Sequence, residues 1–314
     1  MAVLKQPLID IRHGTIAQVL DAARGGLVRA LVVHGDSERD EARHDAEVLL
    51  RETLGCSRSW LIAHGNDLLP KNALAPLIER LRRRAEGQPI AYITGQREFW
   101  SLPLAITNDV LIPRADTELL VECALALLPQ QSKRTVCDLG TGSGAVALAI
   151  ASERPQATII ASDASLPALK LAQHNARQLS ATLSERQPHF IGTRWLAAFA
   201  NDSLHLIVGN PPYIRSDDPH LARGDLRFEP LQALAAGLDG LDDLRAIIAE
   251  APRCLRVDGW LALEHGYDQA HAVRALLAAQ NFEQIRTCTD LAGHERVSLA
   301  HRPHRAGGKG ALPA

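Results

Sequence analysis

The chain has 314 residues, with 34 basic and 36 acidic side chains and a formal net charge of −2. At 46% hydrophobic and 22% charged it has the composition of a folded globular protein, which excludes wholesale disorder and low-complexity classes. The near-neutral charge argues against a protein built around an electrostatic grip on nucleic acid, and leaves a local basic face open.

Residues Thr15 to Glu86 place apolar side chains at three- and four-residue spacings, as in Asp45 to Leu50 and Leu74 to Leu81. That periodicity predicts a small helical bundle. Gly55 and Gly65 read as helix stops, and Asp36 to Glu41 as a polar connector. Arg80, Arg82, Arg83 and Arg84 read either as a solvated helix face or as a face that docks a partner. The helical pattern breaks at Gly87-Gln88-Pro89. From Glu98 to Pro113 apolar and polar residues alternate around Thr107-Asn108-Asp109, which predicts a β-hairpin or a paired extended segment.

After Asp116 the pattern changes again. A helix over Thr117–Leu128 precedes a strand at Thr135–Leu139. Helices at Ala145–Glu153 and Leu166–Leu179 then alternate with strands at Thr158–Ser162, His189–Ile191 and Leu204–Val208. Helix Leu241–Leu255, strand Trp260–Glu264 and helix Ala270–Gln280 follow, and two strands near Glu283–Cys288 and Arg296–Ala300 close the series. Such alternation predicts an α/β fold, a doubly wound, mostly parallel sheet. The last two strands lack a helix between them, so an antiparallel hairpin is expected at the sheet edge. The expected division is a helical domain at 1–88, a linker hairpin at 89–113, an α/β domain at 114–302 and a Gly/Pro-rich, disordered tail at 303–314.

No apolar run approaches the roughly 20 residues of a membrane-spanning helix, and the first residues lack a signal-peptide apolar core. The cysteines, Cys56, Cys123, Cys137, Cys254 and Cys288, are scattered and odd in number, with no C-x-x-C pair. They fit a reduced cytoplasm and no metal site. His301 and His304 read as solvated residues of the tail.

Two motifs carry chemistry. Asp138-Leu-Gly-Thr-Gly-Ser-Gly-Ala145 lies between a predicted strand and a predicted helix. Gly140, Gly142 and Gly144 allow positive φ and close backbone approach, and the helix start offers unpaired N–H groups. This suits a nucleotide-like ligand with a negative group. Asp163 ends the next strand about twenty residues on, where an acidic side chain accepts from ribose hydroxyls. It could instead cap the following helix, a role open to Ser165 as well. At this point NAD and S-adenosylmethionine both remain open.

The second motif, Asn210-Pro211-Pro212-Tyr213, follows a predicted strand. Two prolines remove two backbone donors, so the loop presents acceptors. The Asn210 oxygen and the Pro211 carbonyl can take both N–H bonds of a planar –NH2 group, while Tyr213 packs on it. Hydride transfer has no need of such a clamp, so the motif shifts the ligand towards S-adenosylmethionine.

With these two motifs the sequence resembles class I methyltransferases that modify exocyclic or amide nitrogens. Arg97-Glu-Phe-Trp-Ser-Leu-Pro-Leu, Leu111-Ile-Pro-Arg-Ala-Asp-Thr-Glu, Asp225-Leu-Arg-Phe-Glu-Pro-Leu-Gln-Ala-Leu and Leu263-Glu-His-Gly-Tyr narrow it. They are similar to the glutamine-N5 methyltransferases of peptide chain release factors, the PrmC/HemK family. The resemblance runs from about Glu41 to His301, and the first ~20 residues look like an extension. It implies a seven-stranded methyltransferase sheet, S-adenosylmethionine as donor, and the glutamine of the Gly-Gly-Gln loop of class I release factors as substrate. It implies cofactor contacts at Gly140, Thr141, Gly142, Ser143, Gly144, Asp163, Trp195 and Asn210, and substrate contacts at Asn210, Pro211, Pro212 and Tyr213, with Asn210, Pro211 and Tyr213 catalytic. It suggests that the helical domain recognises the protein substrate.

Two departures stand out. Arg194 occupies the place where relatives usually have an acidic residue before the tryptophan, and Ala115 stands where they usually have proline. Phe99 reads equally as a pocket residue or as hairpin core. Asp217 and Asp218 read as surface residues, so no base is evident near Asn210. A monomer that binds neither membrane nor nucleic acid is expected. The alternative is a nucleic-acid adenine-N6 or guanine-N2 methyltransferase, which shares the Asn-Pro-Pro-Tyr logic and would need base flipping.

Overall fold

A computed structural model of the protein describes residues 11, 13–32, 39–183 and 187–304. They fall into two compact units, Met1–Gln96 with Pro219–Phe228, and Arg97–Asp218 with Glu229–Ala314.

The first unit is helical: α1 (Ile16–Leu27), a π-turn at Val28–Val32, α2 (Arg39–Leu54), α3 (Arg58–Ala63), α4 (Lys71–Ala85) and α5 (Ile90–Thr94). A capping box starts α1, with the Thr15 hydroxyl accepting from Gln18 N and the Gln18 side chain accepting from Thr15 N. Ile16, Val19, Ala23 and Leu27 of α1 are fully buried with Leu49, Leu50, Leu77 and Leu81. α1 thus forms the start of the bundle expected from Thr15 onward. Two expectations change. The connector is helical by Arg39, since α2 begins there. Arg84 is neither solvated nor on an outer face: it is 2% exposed and its Nε donates to Asp45 Oδ2 at 2.7 Å. Arg80, Arg82 and Arg83 bond to Thr53, to Glu79 and Glu86, and to Gln88 and the Tyr92 carbonyl. Pro219–Phe228 joins the same unit, where Asp225 lies 3.3 Å from Arg84 Nη1 and Arg227 donates to the Glu86 carbonyl.

The second unit opens with β1 (Gln96–Phe99) and β2 (Leu102–Ala105). The expected hairpin is present, but its turn is Trp100-Ser101, both at positive φ, rather than Thr107-Asn108-Asp109. Positive φ is rare for tryptophan, so local chemistry did not mark the turn. The hairpin is also no free linker. Phe99, Leu102 and Leu104 are buried, and Ala105 N donates to Asn175 Oδ1 at 2.8 Å. Upstream, Ile93 of α5 belongs to the helical core, so the division falls at Gln96 instead of Gln88.

A 3-10 turn (Ala115–Thr117) leads to α6 (Glu118–Leu127), β3 (Thr135–Leu139), α7 (Ala145–Glu153), β4 (Thr158–Asp163), α8 (Leu166–Gln178), β5 (His189–Gly192) and β6 (Leu204–Gly209). After a long loop come α9 (Asp242–Cys254), β7 (Leu255–Glu264), α10 (Ala270–Ala279), β8 (Glu283–Thr289) and β9 (Glu295–His301). The sheet order is β5-β4-β3-β6-β7-β9-β8. Pairing is parallel from β5 to β7 and antiparallel at β7–β9 and β9–β8, the expected edge hairpin. β7 starts five residues before the predicted strand. His301 ends β9 and packs on Trp260 instead of lying in a tail. The remaining tail expectation, for 305–314, lies outside the described residues. Cys137, Leu139, Ile207, Leu244, Ile247, Leu261 and Leu263 build the core between the sheet and its helices. The strand order reverses between β3 and β6, and ligands of open α/β sheets bind outside the carboxyl ends of strands at such a switch point.

Candidate active site

The glycine loop leaves β3 at this switch point. Gly140, Gly142 and Gly144 all have positive φ, at 67°, 56° and 87°. A Cβ on Gly140 would lie 3.2 Å from Trp195 Cζ3, and one on Gly144 would press on Leu148 and Ala172. The loop is braced from within. Asp138 Oδ2 accepts from Thr141 Oγ1 at 2.6 Å and from Ala147 N at 3.2 Å. Burial pushes the Asp138 carboxyl up to about 7, against the pull of these bonds. Thr141 N donates to the Ser162 carbonyl, and Asn175 Nδ2 donates to the Ser143 carbonyl.

Asp163 at the end of β4 accepts from Gly142 N at 2.9 Å and from Ser165 N at 2.8 Å. It is not the cap of α8; the Ser165 side chain takes that role by accepting from Ala168 N. The carboxylate is thereby fixed to the glycine loop with acceptor capacity left over. Trp195, at φ 46°, packs against the core and donates from Nε1 to Asp243 Oδ1 at 3.0 Å. Arg194 is mostly exposed and lies 3.6 Å from the same carboxylate. The acid at this wall thus comes from the first turn of α9 instead of from position 194.

Asn210 follows β6, and its Nδ2 donates to Thr117 Oγ1 at 3.1 Å. Gln269 Nε2 holds the Tyr213 carbonyl at 3.0 Å, and the Tyr213 ring packs on the core. Burial, with Glu264 nearby, drives the Tyr213 hydroxyl well above its usual range. Two of the quoted motifs meet here: Glu229 accepts from Ile112 N at 3.0 Å and pairs with Arg114.

A cavity of about 420 Å³ joins these parts. Gly140, Gly142, Asp163, Trp195, Asn210 and Pro212 line it; Thr141, Ser143, Gly144, Pro211 and Tyr213 do not and stand behind it or beside it. Sequence reasoning passed over Asp109, Val110, Leu111, Gln232 and Asp243 on its wall. Leu111 and Gln232 lie within quoted motifs, and Asp243 had its own local signal, an acid in a first helical turn. Among the described residues no group of three or more His, Cys, Asp or Glu could hold a metal. The volume lies in the range of small-molecule sites, roughly 300–1,000 Å³.

Residues 30–95 match the PrmC N-terminal domain family and residues 115–223 the methyltransferase small domain family. A release factor glutamine methyltransferase from Xylella fastidiosa (strain Temecula1) is 48% identical over 85% of this chain and 95% of its own length. The chain belongs to the release factor glutamine methyltransferase family. The Escherichia coli (strain K12) member is 46% identical over 83% of this chain and 92% of its own. A solved structure titled protein-(glutamine-N5) methyltransferase (release factor-specific), from Alicyclobacillus acidocaldarius, is 30% identical, covers 62% of this chain and 95% of its own, and has a TM-score of 0.38.

Members of this family are methyltransferases that use S-adenosylmethionine, and the cavity fits that donor by its own chemistry. Asp163 offers acceptors to a vicinal diol, the glycine loop lets a ligand lie against backbone, and Trp195 supplies a flat apolar wall. No described helix is long and apolar enough to cross a membrane.

Proposed function

We propose that the protein methylates the side-chain amide nitrogen (N5) of the glutamine in the Gly-Gly-Gln motif of class I peptide chain release factors, with S-adenosyl-L-methionine as donor. The observation that carries this is that Asn210 and Pro212 of the Asn210-Pro-Pro-Tyr213 segment line the cavity at the end of β6, in a chain 48% identical to a release factor glutamine methyltransferase. The reading extends to a monomer acting in the cytoplasm, supported by five unpaired cysteines, and to a protein rather than a nucleic acid as substrate.

When bound, S-adenosylmethionine supplies a methyl group on a positively charged sulfonium. Gly140, Gly142, Asp163 and Trp195 would hold it, with Asn210 beside it and Thr141, Ser143 and Gly144 shaping the loop. An amide nitrogen is a poor nucleophile because its lone pair is delocalised. Asn210 Oδ1 and the Pro211 carbonyl accept the two N–H bonds of the substrate carboxamide, which fixes its plane and polarises the nitrogen. Pro211 and Pro212 keep competing donors out of the loop. Tyr213 completes the substrate-binding set, and the Gln269 bond to its carbonyl stiffens the loop.

The test is incubation with labelled donor and, separately, release factor, ribosomal protein and nucleic acid. The methyl group is expected on the glutamine of the Gly-Gly-Gln peptide, located by mass spectrometry. Label confined to nucleic acid would overturn the reading.

A further inference from the structure

Glu264, in the Leu263-Glu-His-Gly-Tyr segment at the end of β7, is 1% exposed. Thr117 and Asn210 lie beside its carboxylate and favour its charged form, while its Oε2 meets no partner. Thr117 joins the two, since its hydroxyl oxygen accepts from Asn210 Nδ2 at 3.1 Å. A hydroxyl that accepts from an amide still has its own proton to give, and the buried carboxylate is there to take it.

We propose that Glu264 is a positioning residue that sets the orientation of the Asn210 carboxamide through Thr117. The proposal rests on the reading of Asn210 as the substrate clamp. A carboxamide can present its oxygen or its NH2 to a ligand, and only the oxygen can accept from a glutamine N–H. Two acceptors behind Asn210, the Glu264 carboxylate and the Thr117 oxygen, draw the NH2 group inward. The oxygen is left for the substrate. A protonated Glu264 becomes a donor, and that preference weakens.

Burial pushes the Glu264 carboxyl up to about 7, opposed by the hydrogen bond from Thr117 and by Arg296 of β9. Asp116, in the turn before α6, raises it further, and Arg296 also pairs with Asp116 at 3.2 Å. Tyr213 faces it from the Asn210 loop. His265, next in the chain, is turned to Ser298 and the Gly266 carbonyl and is held below its usual range by burial. The change therefore falls where an enzyme is assayed. With saturating donor, wild-type kcat should fall about tenfold from pH 8 to pH 6, as one group titrating near 7 requires.

The experiment compares wild type with Glu264→Gln, Thr117→Val and Thr117→Ser. Glu264→Gln keeps an acceptor but cannot titrate, so its kcat should lose the fall between pH 8 and pH 6. Thr117→Val should lower kcat by about tenfold or more with a smaller change in KM, and Thr117→Ser should restore it. A second readout needs no turnover: the Asn210 side-chain NH2 resonances should titrate near pH 7 in wild type and not in Glu264→Gln. A variant that keeps the wild-type pH profile, or Asn210 resonances indifferent to pH in wild type, would overturn the proposal. If wild type methylates no release factor, the function fails, while the resonance titration still decides the role of Glu264.

Discussion

Two buried carboxyl groups, one in each unit, are held in opposite ways. Asp45 in the helical unit faces a guanidinium: Arg84 Nε reaches it at 2.7 Å and both side chains are almost fully buried. Burial still raises the Asp45 carboxyl above its ordinary value, with Arg84 pulling the other way. Glu264 in the α/β unit has no such contact. It faces a hydroxyl and an amide, and one of its oxygens is unpartnered. The first arrangement closes a charge within a core. The second leaves an acid under-satisfied beside the Asn210 loop, and natural proteins tolerate such cost mainly where activity needs it.

The contrast can be broken at either end. Arg84→Met in the full chain removes the partner of Asp45 and should cost about 3–5 kcal/mol in urea unfolding. The double change Asp45→Leu with Arg84→Met should recover most of that loss, because the buried charge goes with its partner. Recovery of none of it would mean that the pair does more than neutralise itself. In the other unit, Asn210→Ala should lower kcat by about 10²–10³-fold, the scale of one lost polar contact to a reacting group, with little change in unfolding midpoint. Equal turnover would remove the clamp.

Gly140 extends the comparison to the backbone. Gly140→Ala meets a positive φ of 67° and the Trp195 ring, and should cost about 1–2 kcal/mol along with weaker donor binding by calorimetry. The last prediction follows Glu264 with pH. Glu264 has a folded-state value of about 7 against an ordinary 4.5, so the folded state binds more protons than the unfolded state between these values. Its contribution to stability is present below about 4.5 and is lost as pH rises to 7. Glu264→Gln should therefore gain on wild type across that window and hold the gain above it. A wild-type advantage that grows with pH would reverse the assignment.

The parts of the site legible in the sequence were those written in consecutive residues. Gly140 to Gly144 between a β-branched strand and an alanine-rich helix, Asp163 at a strand end, and Asn210-Pro-Pro-Tyr213 each carry their geometry locally. The strands and helices of the α/β unit likewise follow their own periodicity. What escaped was assembled across distance. Thr117, Asn210 and Glu264 come from three separated segments, and none marks the others. Asp243 reaches Trp195 from α9. Trp100 and Ser101 turn the hairpin in a conformation that their residue types do not advertise.

Pro219–Phe228 has a practical consequence for anyone cutting this protein into pieces. The segment lies in the chain six residues beyond Tyr213, yet it packs as part of the helical unit, where Asp225 and Arg227 reach Arg84 and Glu86. No single scission separates the two units. A fragment ending at Gln96 would lack one strip of its own surface, and the complementary fragment would carry that strip as a loose end. In the order of the chain, the two units are interleaved.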